Sequence, residues 1–150
     1  MKLLVCTDGS ENSQKCIEVA SQLAAKCSVT AIAIIHVYEN VSLLPDYWYG
    51  NYPFSSEEGK QIEKMDKRIQ AERKNFFSSA EEEFKKYNIE AKTIFKVGHP
   101  AEVIAQEAEE GQYDLIIIGR RGMSGVKKLF MGSISNAVLQ LVKANVLIVK

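Results

Sequence analysis

The run from Val29 to Val37 is β-branched and apolar, with no polar alternation before His36. A strand of that kind needs cover on both faces, as strands inside a parallel sheet have. Leu3 to Cys6, Asp114 to Ile118 and Val146 to Val149 share the character. Ala91, Thr93, Phe95 and Val97 instead alternate with Lys92, Ile94 and Lys96, so this strand has a more polar face and is expected at a sheet edge.

Segments of helical period separate these runs. Cys16, Ala20, Leu23 and Cys27 recur at that spacing behind Ser10, a suitable N-cap, with Glu11 in the first turn. Ile62, Met65, Ile69, Phe76, Ala80 and Phe84 line one side of a long helix that begins at Glu57. Pro100 suits a first helical position, with His99 as the expected cap and Gly111 closing the helix. Gly132-Ser133 opens a last helix through Ile134, Ala137, Val138, Leu141 and Val142. The alternation predicts an α/β fold: one open five-stranded parallel sheet flanked by four helices. The 150 residues fit a single domain spanning 1–150.

Composition narrows the partners. Lys plus Arg number 19 and Asp plus Glu number 19, which argues against bulk electrostatic binding to nucleic acid or an anionic membrane. No apolar run approaches the ~18 residues of a membrane span. The apolar start is too short for a signal peptide, and Asp8 interrupts it. Cys6, Cys16 and Cys27 are odd in number and lack CxxC spacing, so they read as packed thiols in a reducing compartment. The expectation is a cytoplasmic protein without nucleic-acid or membrane partners. Residues 40–56 break the pattern with Pro45, Gly50 and Pro53 among Tyr47, Trp48, Tyr49, Tyr52 and Phe54. This aromatic loop fits a lid, a partner surface or a satellite core, and the sequence leaves all three open.

In open parallel sheets, ligands bind beyond the carboxyl ends of the strands, where strand order reverses. Asp8, Val37 and Gly119 all fall at such ends. Gly119-Arg120-Arg121-Gly122 follows a strand directly, and Gly132-Ser133 opens a helix. Glycine lets backbone N–H groups approach a phosphate, and a helix N-terminus favours an anion. Ser133 and Ser135 can add hydroxyl donors, and Arg120, Arg121, Lys127 and Lys128 could screen phosphate charge. The loop is neither Gly-x-x-x-x-Gly-Lys-[Ser/Thr] nor Gly-x-Gly-x-x-Gly. Spacing alone also fits a plain loop capped by Ser133, and Asp8 alone also fits a turn former. His36 is expected to pack or to bond backbone rather than to ligate a metal. No metal site is expected. Asp8 has no evident partner group for phosphoryl transfer, so turnover is expected to be weak or absent.

The chain resembles the nucleotide-binding universal stress proteins over nearly its whole length. The resemblance rests on Val5-Cys6-Thr7-Asp8-Gly9-Ser10, His36-Val37, Val97-Gly98-His99-Pro100-Ala101-Glu102 and Asp114-Leu115-Ile116-Ile117-Ile118-Gly119. It rests also on Gly-x2-Gly-x9-Gly-Ser, met by Gly119, Gly122, Gly132 and Ser133. It implies a Rossmann-like, adenine nucleotide alpha hydrolase-like fold that binds ATP or AMP, and leaves open Mg2+ or Mn2+ as a companion of ATP. It implies that Asp8 contacts the ribose or base and that the Val37 backbone meets the adenine. Gly119, Gly122, Gly132, Ser133 and Ser135 would then hold the phosphates. Cys6, Thr7, Arg120, Arg121, Met123, Gly125 and Ile134 complete the implied set. It further implies a homodimer through Val146 to Val149, acting as a nucleotide-responsive regulatory module. Two alternatives stand beside it: a slow ATP hydrolase or phosphotransferase, and a partner-binding protein acting through the aromatic loop and last strand. The aromatic loop and Cys6 depart from the family pattern.

Overall fold

The computed structural model describes residues 1–38, 71, 77, 78, 80–122 and 131–150. The aromatic loop at 40–56 and the start of the long helix at Glu57 lie outside the described residues. The strands are β1 (Lys2–Cys6), β2 (Ala31–Tyr38), β3 (Lys92–Val97), β4 (Leu115–Gly119) and β5 (Asn145–Val149). The helices are α1 (Glu11–Lys26), α3 (Pro100–Glu110) and α4 (Ser133–Leu141). Helical residues 80–85 are called α2.

All four strand pairings are parallel, in the order β3-β2-β1-β4-β5. The chain builds outward from β1 to β3, then crosses back to place β4 on the other side of β1. Strand order therefore reverses between β1 and β4. The alternating side chains of the sheet feed two cores. Leu3, Val5, Ile32 and Ile34 pack with Cys16, Ile17 and Ala20 of α1 and with Phe84 of α2. Leu4, Ala33 and Ile35 pack on the opposite face with Ala101, Ile104 and Ala108 of α3 and Val138 of α4. Each Leu or Ile so buried contributes roughly 1.5–3 kcal/mol, which is why β2 tolerates no polar alternation.

The edge position expected for the strand at 91–97 is found: β3 closes one side of the sheet. Its Lys96 bonds Glu107 of α3 at 2.7 Å, while Ile94 is buried on the same face. α3 thus covers this face in part, over Ile94 and Lys96, while Lys92 stays exposed. Cys27 corrects the expectation of three packed thiols. Cys6 and Cys16 are buried, but Cys27 is exposed at the C-cap of α1, one residue past the last turn of the apolar stripe. His99 occupies the N-cap position of α3 but makes no capping bond with its side chain. Val142 is the C-cap of α4, not its last helical residue. Among the described residues no helix is long and apolar enough to cross a membrane.

Candidate functional site

Several bonds fix the turn that follows β1. Thr7 N–H donates to the Ile35 carbonyl at 2.9 Å, extending the ladder by one bond. The Thr7 carbonyl accepts from His36 Nδ1 at 2.8 Å. The Thr7 hydroxyl donates to Ser13 Oγ at 3.2 Å, and Ser13 Oγ donates in turn to the Ser10 carbonyl at 2.8 Å. Gly9 then takes φ +80°, a left-handed conformation that suits glycine. Asp8 Oδ1 accepts from Ser10 N at 3.0 Å, and Ser10 Oγ caps α1 by accepting from Ser13 N at 3.2 Å. The turn chemistry and the helix cap are thus one connected unit.

β2 outruns β1. Ile35 directs its carbonyl toward β1, whereas Tyr38 directs its carbonyl toward β3, where Gly98 N–H donates to it at 3.2 Å. By strand parity, the Val37 N–H and C=O share the Ile35 side. β1 has already ended there, so among the described residues no strand lies beside those groups.

β4 ends at Gly119, and the Arg120 N–H continues to the Val149 carbonyl at 2.7 Å. The Arg120 carbonyl then accepts twice, from Gly132 N–H at 2.8 Å and from Ser135 Oγ at 3.1 Å. Ser135 Oγ also lies 3.1 Å from the Gly132 carbonyl. These bonds clamp together the two ends of the loop between β4 and α4. From α1, Asn12 Nδ2 donates to the Arg121 carbonyl at 3.3 Å. Gly132 is the N-cap of α4 and brings no capping side chain. The first-turn N–H groups of α4 therefore have no side-chain acceptor at the cap position, which is the arrangement that favours an anion.

The glycines here serve space rather than backbone freedom, because neither Gly119 nor Gly122 has positive φ. A Cβ on Gly122 would collide with Asp8 Oδ2. A Cβ on Gly119 would come within 3.2 Å of both Asn12 Cβ and the Arg121 carbonyl.

The structure thus brings Asp8, Gly119, Arg120, Arg121, Gly122, Gly132 and Ser135 together across the β1/β4 reversal. Ser133 and Ile134 are exposed on the first turn of α4. Met123, Gly125, Lys127 and Lys128 lie outside the described residues. Cys6 and Thr7 have buried side chains, so a ligand could meet chiefly their backbone. Burial, then the nearby Cys16 and Asp8, pushes the Cys6 thiol well above its ordinary range. Cys16 is pushed up to about 12, by burial first and then by Asp8. Neither is a thiolate at neutral pH. Ser135 is buried, and a phosphate oxygen would compete with the Arg120 carbonyl for its single proton. Asn12 and Ser13 escape sequence reasoning, whereas His36, expected to pack or to bond backbone, does both, on Phe95 and on the Thr7 carbonyl. Asn12 and Ser13 lie in the polar run from Ser10 to Lys15, where nothing local sets them apart. Among the described residues no group of three or more His, Cys, Asp and Glu could hold a metal ion. A separate cleft of about 410 Å3 lies between α3 and α4, beside Tyr113 and Ala144 at the amino ends of β4 and β5. It is remote from the strand carboxyl ends.

The universal stress protein family model matches residues 1–150. The universal stress protein YxiE of Bacillus subtilis is 33% identical over 153 residues, covering 99% of this chain and 98% of its own. The solved structure of MJ0577, a protein of Methanocaldococcus jannaschii, superposes with a TM-score of 0.80 at 23% identity, over 99% of this chain and 94% of that one. A universal stress protein in complex with cAMP superposes with a TM-score of 0.66 at 22% identity, over 100% and 96% of the two chains. The Archaeoglobus fulgidus universal stress protein in complex with dAMP gives 0.65 at 20% identity, over 100% and 98%. At these identities the solved structures bear on the fold.

Proposed function

The chain belongs to the universal stress protein family, and on that premise we propose that it binds an adenine nucleotide, ATP or AMP, in the crevice between β1 and β4. The contact of Asp8 with Gly122 carries this reading, because it joins a carboxylate at one strand end to the loop at another. The adenosine lies against Asp8 and the Val37 backbone. The phosphates meet the first-turn N–H groups of α4, the Ser133 hydroxyl and the backbone at Gly119 and Gly122. Ser135 acts by holding the loop ends rather than by touching phosphate. The cAMP and dAMP bound by two fold relatives support an adenine nucleotide as the ligand class. Three or four hydrogen bonds to a charged ligand, at about 1.5–3 kcal/mol each, correspond to roughly micromolar binding after association costs.

Mg2+ or Mn2+ would accompany ATP, held chiefly by its phosphates, with Asp8 as the carboxylate of the described site. Efficient phosphoryl transfer needs a metal-holding acid and a second residue that positions the nucleophile. The described site offers Asp8 for the first role and no partner for the second, so the nucleotide is held rather than turned over. Occupancy is read out through a homodimer. β5 is an edge strand, and Val149 faces β4, so by parity Val146 and Ile148 turn their backbone groups outward. Leu139 and Leu141, 49% and 54% exposed, extend the apolar surface on α4.

Calorimetric titration with AMP and ATP tests the reading. Micromolar binding that Gly132→Val weakens severely is expected, since a Cβ there lies 3.1 Å from the Arg120 carbonyl and 3.4 Å from Ser135 Oγ. Absence of binding by both nucleotides would overturn it.

A further inference from the structure

His36 is a buried, ionisable side chain inside an otherwise apolar strand, and nothing in the ligand contacts described above uses it. By strand alternation it shares the α1 face of the sheet with Ile32 and Ile34. Its ring stacks on Phe95, its neighbour in β3, with centroids 5.5 Å apart and planes 29° apart. Nδ1 lies 2.8 Å from the Thr7 carbonyl. A carbonyl only accepts, so the Nδ1 atom must carry the proton. The imidazole therefore spans from β3 to the last peptide before Asp8.

We infer that His36 is a positioning residue for Asp8: its Nδ1–H holds the Thr7 peptide, and through it the carboxylate, in the orientation that receives the nucleoside. The inference rests on the adenine-nucleotide reading of the same site. Thr7 is otherwise held by its N–H on Ile35, by its hydroxyl on Ser13, and by the Gly9 N–H, which donates to the same hydroxyl at 3.4 Å. Those bonds fix the entry to the turn and the approach of α1. Among the described residues, His36 Nδ1 is the side-chain donor to the carbonyl of the Thr7–Asp8 peptide. Without that donor the buried carbonyl loses its bond, and rotating the peptide to regain one swings Asp8 away from Gly122. The effect should fall on the nucleoside end alone, because the phosphate end is clamped separately through Arg120, Gly132 and Ser135.

The test uses the full chain and two substitutions. His36→Leu removes the donor, whereas His36→Asn places an amide N–H near the position of Nδ1. Calorimetry with adenosine and with AMP should show both weakened about tenfold in His36→Leu, by the loss of one well-placed contact, with their ratio unchanged. His36→Asn should bind within about twofold of the parent. Wild-type affinity in His36→Leu would overturn the inference while leaving the nucleotide reading intact. So would equal losses in both variants, or a loss confined to AMP. If the parent chain binds neither ligand, both readings fall together. Should His36→Leu not fold, nitrogen NMR of the parent imidazole decides. A protonated Nδ1 supports the role, and a bare Nδ1 overturns it.

Discussion

Gly122→Ala tests how the two halves of the site depend on one another. The added Cβ would occupy the place of Asp8 Oδ2, and Gly122 carries no positive φ that alanine would strain. The damage is therefore steric and passes through Asp8. The Asp8 side chain must rotate, and its Oδ1 then loses the 3.0 Å bond from Ser10 N. One such bond is worth about 1 kcal/mol, so the melting temperature should fall by roughly 2–4 °C for a chain of this length. Nucleotide binding should suffer more, because a carboxylate bond to a ribose hydroxyl or base amine, at about 1.5–3 kcal/mol, corresponds to roughly 10–100-fold in affinity. Calorimetry with AMP on Gly122→Ala, Asp8→Ala and the double variant separates the causes. If alanine acts by displacing Asp8, the double variant binds no worse than Asp8→Ala. Losses that multiply, or unchanged affinity in Gly122→Ala, would refute the steric link.

Ser135→Ala should lower the affinity for AMP while sparing adenosine, with a stability loss of about 1 kcal/mol from the bond to Arg120; calorimetry and thermal melts check both. Iodoacetamide should label one thiol in the native chain, Cys27, and all three in denaturant, as read by mass spectrometry. Stability should fall as pH rises from about 9, the ordinary thiol value, toward about 12, where Cys16 itself ionises. The unfolded chain releases those protons first, so it is the favoured state in that window, and urea titrations across it read the slope. Leu147→Glu, on the exposed side of edge strand β5, should convert a dimer to a monomer in sedimentation velocity without lowering AMP affinity more than about twofold.

The sheet was legible because β1, β2 and β4 must be apolar on both faces, and that leaves a continuous mark in the chain. The edge position of β3 was legible from its lysines, although the partner of Lys96 was not, since Glu107 lies on a later helix. Cys27 shows the limit of periodicity: the helical spacing includes it, but the helix stops at Lys26 and its side chain leaves the stripe. At the site, the glycine spacing marked the loop but not the reason for Gly122, which is a contact with Asp8 more than a hundred residues earlier. Ser135 was legible as a hydroxyl near phosphate. Which acceptor takes its proton depends on where the Arg120 carbonyl points, and spacing does not encode that. Asn12 and His36 donate to backbone carbonyls of distant segments, so the acceptors were not legible, although a backbone bond was expected for His36.

The central claim is that the ligand sits between Asp8 and the start of α4, at the carboxyl ends of the strands. Titrating the isotopically labelled full chain with AMP, and following backbone amide shifts, tests binding and place together. The largest shifts should fall on Asp8, Val37, Gly119 to Gly122 and Gly132 to Ser135. Shifts centred on Tyr113, Val142 and Ala144, in the cleft between α3 and α4, or no shifts at millimolar AMP, would contradict it.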